Sequence, residues 1–458
     1  MPPYGARNGV RGAPDGHDLA AAPSDRPAPV PPAPPATPVL PAPPRPAPAS
    51  PVEWPPEWAE WAAAKREEIV SSGRWRAPVP FDALGVDGSL PAPPAESTPD
   101  AAATASETPD ARYVHVVAFA SNDYLGLGAH PQVVSAARQA LSTWGAGAGA
   151  SRLLSGTRPV HEGLERDLAE WKDAEAAVVF PSGYAANIGV LVSLGEEGCH
   201  VFSDELNHAS IVDGARLARA GVSIYRHRDV GHLDALIWQL RRRPSAVGPP
   251  RRILVVTDSV FSMDGDLAPL DDLCECCERH GALLVIDEAH AVLGPELDPS
   301  FRHVVRVGTL SKTLGSAGGF AAGSRTCAEL LVNRARSYIF STAPTPASMA
   351  SAKTALGILR SEEGSRLKAT LSSHIAHLLP GNPSPIVPVV LGPEELALQA
   401  SRELLARGMW VPAIRPPTVP EGTSRLRISL SAAHSTEQVL RLSQALQELR
   451  ARSGRAKG

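Results

Sequence analysis

The sequence has little net charge, few aromatic side chains and few cysteines. With 44 basic and 48 acidic side chains, the 458 residues carry a formal charge of −4. Charge alone therefore selects neither nucleic acid nor an anionic membrane as partner. No apolar run approaches the ~18 to 20 residues that a membrane-spanning helix requires, so a soluble, membrane-free chain is expected. There are 8 Trp, 6 Tyr and 8 Phe, which leaves Ala, Leu and Val to build the core. Five cysteines, an odd number, imply no disulfide framework and a reducing cytoplasmic setting. Three of them crowd into DDLCECCERHG beside His280. That stretch reads as a helix with Leu273, Cys276 and Cys277 on its buried stripe, and no second Cys-x-x-Cys pair closes a metal shell, so no metal is expected.

Proline is abundant and uneven: 26 of the 46 prolines fall within residues 1–110. Residues 1–50 hold scarcely a large apolar side chain and cannot offset the entropy of ordering, so they read as a disordered tail. Asp15, Asp18 and Asp25 interrupt that tail, unlike an acid-poor transit peptide. Residues 51–117 read as a helix, with Trp54, Trp58 and Trp61 at helical spacing, followed by a low-complexity linker. Residues 118–345 read as a large domain, and residues 346–452 as a smaller α+β domain containing PIVPVVLG, VPAIR and SRLRISL.

Within the large domain, AAVVF, HVFSD, VSIYRH, RILVVTD, ALLVID and RVGTL alternate with helical periodicity. Continuous apolar strands separated by helices predict a mainly parallel sheet covered on both faces. Ligand chemistry in such a sheet gathers at the carboxyl ends of the strands. The polar residues that follow the strands are therefore the candidates.

In GTLSKTLGSAGGF, Lys312 follows a strand, with Thr309 and Ser311 beside it. A lysine there suits a Schiff base with an aldehyde cofactor; alone, a lysine in a Gly-rich turn is more often a surface residue or a nucleotide phosphate contact. Asp287 ends ALLVID, where a carboxylate can keep a pyridinium nitrogen protonated, and His290 follows. Ser182, Gly183 and Tyr184 stand at a strand-to-helix junction whose free amides can hold a phosphate. His208 follows the next strand, placed either to cap a helix or to lie on a ring face. The four features occur in order along one sheet.

Together with SNDYLGLGAHP, SRLLSGTRPVHEGLE, TDSVFSMDGDLAPL and AIRPPTVPEGTSRLRISLSAAH, they resemble the α-oxoamine synthases, a group of the fold type I pyridoxal-phosphate enzymes, over roughly Ala118 to Leu446. The resemblance implies an α/β fold type I transferase with pyridoxal 5′-phosphate as cofactor. It also implies a homodimer that condenses L-alanine with pimeloyl-CoA or a related acyl thioester, releasing CO2. Carried over by motif, Lys312 matches the Schiff-base lysine, Asp287 the pyridinium partner, His290 a contact to the cofactor's phenolic oxygen and His208 the histidine stacked on the ring. Gly183, Tyr184, Thr309 and Ser311 match the phosphate and ring surroundings, Thr342 a phosphate contact from the other subunit, and Ser262 a residue near the cofactor oxygen. Asn122, Arg415 and Arg427 match substrate-binding positions, Arg427 as the clamp on the amino-acid carboxylate.

Between Asp287 and Lys312 the chain is shorter than the family pattern, and Leu293 stands where the pattern has glycine, so a rebuilt loop is expected there. Glycine C-acetyltransferase, 5-aminolevulinate synthase and serine palmitoyltransferase share this cofactor apparatus, and a noncatalytic partner subunit is a further alternative. Retention of Lys312, Asp287 and His208 argues against the last.

Overall fold

The computed structural model describes residues 53–91, 113–242 and 250–455, so the Pro-rich tail 1–50 and most of the low-complexity stretch before Tyr113 lie outside the described residues. The chain divides into two units, 1–77 and 78–458. In the first, a helix spans Pro56–Ser71, with proline in its first turn, where a missing N–H leaves no bond unmade. Trp54, Trp58 and Trp61 are exposed, and the rings of Trp58 and Trp61 meet edge to face at 5.8 Å.

The second unit is built on a seven-stranded sheet: β1 (Ala176–Phe180), β2 (Cys199–Asp204), β3 (Gly221–Tyr225), β4 (Arg252–Asp258), β5 (Leu283–Asp287), β6 (Val304–Thr309) and β7 (Gly319–Gly323). Their order is β1-β7-β6-β5-β4-β2-β3. Strands β2 to β6 pair in parallel, as the alternation of apolar runs and helices predicts. The exception is β7, antiparallel to both β1 and β6. Its sequence, GFAAG, has no β-branched residue, so no local strand signal marks it; Phe320 packing over Gly308 holds it in place.

Both faces of the sheet are covered. On β5, Leu284 and Ile286 join Leu233, Ile237, Cys276 and Cys277 from helices Val230–Arg242 and Leu270–His280. Val285 points the other way, toward Val190, Leu191 and Ile211 of helices Gly183–Leu194 and Ala209–Leu217. This period-two alternation is why the strand carries no polar residue until Asp287. The cysteine-rich helix buries Leu273, Cys276 and Cys277 as its pattern predicts. It also brings Cys276 and His280 to Asp234 of the neighbouring helix, but Asp234 Oδ1 already accepts from His280 Nε2 (2.9 Å) and Arg279 Nη1 (2.8 Å).

Two smaller sheets complete the unit. Strand Ser424–Ser429 lies between Ile386–Gly392 and Ala413–Ile414, antiparallel to both, with all six of its residues buried. Strands Asp82–Ala83, Asp87–Pro91 and Tyr113–Ala118 form the other sheet with Met409–Trp410. All three begin in the stretch read from sequence as helix and linker. Val117 and Ala118 pair with Met409 and Trp410, partners nearly 300 residues away that no local periodicity can reveal.

Candidate active site

Asp204, Asp258, Asp287 and Thr309 close parallel strands β2, β4, β5 and β6 at the same edge of the sheet. Asp258 and Asp287 are register partners. Asp287 Oδ1 accepts from the Ala289 amide (2.9 Å) and Oδ2 from Asn187 Nδ2 (2.6 Å). Asn187 also donates to Ser210 Oγ (2.9 Å), and Asp258 Oδ2 accepts from the His208 amide (2.8 Å). Complete burial, reinforced by the neighbouring Asp287 charge, pushes the Asp258 carboxyl well above the usual carboxylate range.

Lys312 follows β6, and its Nζ lies 2.7 Å from His290 Nε2. Burial lowers the lysine's pKa; the Arg427 charge adds to that, and Asp287 and Asp258 oppose it. Burial, with Lys312 and Arg427 near by, holds His290 well below its ordinary value, so the ring is neutral. His290 Nδ1 meets the Tyr124 hydroxyl at 2.5 Å, and Tyr124 in turn donates to Asn122 Oδ1 (3.1 Å). Burial raises Tyr124 to about 12 and keeps it protonated. His208 caps helix Ala209–Leu217, its Nδ1 accepting from the Ser210 amide (3.2 Å). Burial lowers its pKa, with Asp287 and Lys312 acting on its charge in opposite senses.

Arg427 projects from the central strand of the three-stranded sheet and is 6 % exposed. Its Nη2 donates to Asn122 Oδ1 (3.2 Å), Nη1 to Ser429 Oγ (2.7 Å) and Nε to the Ser262 carbonyl (2.5 Å). One hydrogen-bonded path thus runs from Lys312 through His290, Tyr124 and Asn122 to Arg427.

Ser182 caps helix Gly183–Leu194, its hydroxyl accepting from the Ala185 amide (3.1 Å). Thr309 Oγ1 and Ser311 Oγ are 2.8 Å apart beside it. A Cβ on Gly183 would stand 3.2 Å from Thr309 Cβ, and one on Gly319 would stand 2.5 Å from the Gly183 nitrogen, so this cradle is kept open by the lack of side chains. Tyr184 is partly exposed, and its hydroxyl bonds Asp213, which raises its pKa. An amine whose pKa burial lowers, a buried strand-end carboxylate, a helix start and two adjacent hydroxyls suit an aldehyde cofactor bearing an aromatic nitrogen and a phosphate.

Of the other residues named from sequence, Ser262 contributes its carbonyl to Arg427. Arg415 pairs with Glu394 at 3.6 Å. Thr342 is exposed and forms a backbone bridge with Ser151. Sequence reading missed Tyr124, Asn187 and Asp258. Two of them had a signal: Asn187 is a lone amide in the apolar helix GYAANIGVLVSL, and Asp258 ends an apolar strand just as Asp287 does.

Comparison with known proteins gives the family. Residues 114–446 match the family model for aminotransferase class I and II. The 8-amino-7-oxononanoate synthase of Anaeromyxobacter dehalogenans is 50 % identical over 341 residues, covering 71 % of this chain and 84 % of the relative. That of Burkholderia thailandensis is 45 % identical over 370 residues, covering 76 % and 91 %. Among solved structures, the serine palmitoyltransferase of Sphingomonas wittichii superposes with a TM-score of 0.72 at 29 % identity, covering 87 % of this chain and 98 % of the other. A serine palmitoyltransferase holding pyridoxal phosphate reaches 0.74 at 27 % identity, with the same coverage. The chain is a pyridoxal-phosphate enzyme of the aminotransferase class I and II family, in the group of the 8-amino-7-oxononanoate synthases.

Proposed function

We propose that the chain catalyses the decarboxylative condensation of L-alanine with a pimeloyl thioester, giving 8-amino-7-oxononanoate, the free thiol and CO2, a step of biotin biosynthesis. The observation that carries the reading is the buried Arg427 held in one hydrogen-bonded path with Lys312.

Pyridoxal phosphate, when bound, supplies the electron sink for proton loss and decarboxylation at the amino-acid Cα. Lys312 and Asp287 would hold it, with His208 on its ring and Gly183, Thr309 and Ser311 toward its phosphate. Arg427 grips the alanine carboxylate as a fork, which fixes which bond of Cα is broken. Lys312, its pKa lowered by burial, takes the Cα proton. His290 and Tyr124 keep the Lys312 amine and Asn122 in place.

We read the enzyme as a cytoplasmic homodimer. Among the described residues, no helix is long and apolar enough to cross a membrane. Leu153, Leu154 and Phe340 are exposed close in sequence to the Ser151–Thr342 bridge, an apolar patch that a second copy would cover while Thr342 reaches the partner's phosphate. The test is purified protein with pyridoxal phosphate, L-alanine and pimeloyl-CoA, followed by product mass. Glycine or serine paired with acetyl-, succinyl- or palmitoyl-CoA are the competing combinations, and higher kcat/KM with any of these overturns the reading.

A further inference from the structure

Two residues before Arg427 on the same strand, Arg425 projects to the same face, about 7 Å along. It is 5 % exposed. Its Nε donates to the Thr423 carbonyl (3.1 Å), and Nη1 donates to the Met263 carbonyl (3.2 Å) and to Asp264 Oδ1 (2.5 Å). Nη2 has no hydrogen-bond partner among the described residues. The guanidinium borders a cavity of about 150 Å³ whose apolar walls come from Leu206, Phe261, Met263, Val419 and Pro420, with Asp264, Thr418 and Thr423 as polar lining. The cavity adjoins the active site through Ser262, which lines it and whose carbonyl accepts from Arg427 Nε.

We infer that this cavity receives the distal part of the acyl group and that Arg425 binds its terminal carboxylate, an assignment that rests on the pimeloyl reading above. Two buried arginines on one strand then divide the work. Arg427 takes the carboxylate of the amino acid, and Arg425 takes the far carboxylate of a dicarboxylic acyl chain lying between apolar walls. A cation at the end of an apolar pocket gives specificity that the walls alone cannot, because an uncharged chain end would leave it without its anion. Asp264, half-exposed, holds one edge of the guanidinium and competes for it with the incoming carboxylate.

The test uses holoenzyme with L-alanine and two acyl donors, pimeloyl-CoA and heptanoyl-CoA, equal in carbon number and different in the terminal carboxylate. The unmodified enzyme is expected to favour pimeloyl-CoA in kcat/KM, and Arg425→Met to cut that preference about tenfold or more, through the KM for pimeloyl-CoA. Asp264→Asn should act in the opposite direction and lower that KM, whereas a merely structural ion pair would be damaged alike by either change. Calorimetry with free pimelate and heptanoate on the same holoenzymes gives a readout independent of turnover, with pimelate binding weakened in Arg425→Met. Should Arg425→Met not fold, Arg425→Lys and Asp264→Asn carry the comparison. Equal losses for both acyl donors, or an unaltered preference, remove Arg425 from recognition and leave the condensation reaction standing. Absence of product from L-alanine and pimeloyl-CoA in the unmodified holoenzyme overturns the reaction and this assignment with it.

Discussion

Lys312 Nζ lies 2.7 Å from His290 Nε2, and both groups have their pKa lowered by burial. A neutral His290 that accepts from Lys312 at Nε2 carries its proton at Nδ1 and donates to Tyr124. The protonated Tyr124 then donates to Asn122 Oδ1, which also receives Arg427. Every donor along the path has an acceptor, so the amine and the guanidinium are held in register although their residues are 115 positions apart.

The amine at that position is expected to be the covalent attachment point of pyridoxal phosphate. Borohydride reduction of the holoenzyme followed by peptide mapping should place the pyridoxyl label on Lys312. A label on another lysine, or none, sinks the assignment.

Tyr124→Phe removes the acceptor of His290 and the donor to Asn122 in a fully buried setting. An orphaned buried donor costs about 1–3 kcal/mol, so the melting temperature should fall by several degrees. KM for L-alanine should rise as Asn122 and Arg427 loosen. A variant with unchanged melting and unchanged KM would show that the path contributes nothing.

Arg427→Lys keeps the charge and loses the fork. Weaker saturation by L-alanine and slower Cα deprotonation are expected, with cofactor binding retained. An exposed ion pair would contribute only ~0 to 1 kcal/mol, so a large effect separates a clamp from a surface contact. If Arg427→Lys behaves like the parent while Arg425→Lys does not, the roles are exchanged.

His227 lies between two carboxylates, 2.9 Å from Asp204 Oδ1 and 2.9 Å from Asp266 Oδ2. Burial works to lower its pKa, but the two carboxylates outweigh it and raise the value to about 9. A folded-state pKa above the unfolded one means the stabilisation is fully present below about pH 6.5 and is lost as pH rises through 9. It amounts to on the order of 3 kcal/mol. Asp266 belongs to the hairpin that offers the Ser262 carbonyl to Arg427, with Phe261 and Asp266 bonded through their backbones. Thermal melts from pH 6 to 10 should therefore fall more steeply for the parent than for His227→Gln; parallel curves would contradict this.

Deleting residues 1–50, which lie outside the described residues, should leave melting temperature and turnover nearly intact, since their composition supports no core. A large loss in either measurement would show that the segment packs on the enzyme.

Much of the fold was legible because its signals are local. An apolar run such as LLVID that ends in a carboxylate marks a buried parallel strand and the polar group at its carboxyl end. The glycines around Lys312 mark a turn next to it. The strand SRLRIS announced two arginines on one face, and the cysteine-rich helix announced its buried stripe. Strand β7 was not legible, because GFAAG has neither β-branched residues nor alternation and is a strand only through its two neighbours. Nor was the pairing of Val117 with Met409.

By itself, the sequence determined the layered α/β architecture, a lysine set among glycines downstream of a strand-end carboxylate, and the family to which the chain belongs, since each rests on residue type and short spacing. Only the tertiary structure decided that Tyr124 is buried against His290, that Asn122 bridges to Arg427 across 305 positions, and that Arg425 borders a cavity. Such contacts are set by how strands and helices pack. Periods of two or 3.6 residues specify which face of an element is buried, but they carry no information about which distant element lies against that face.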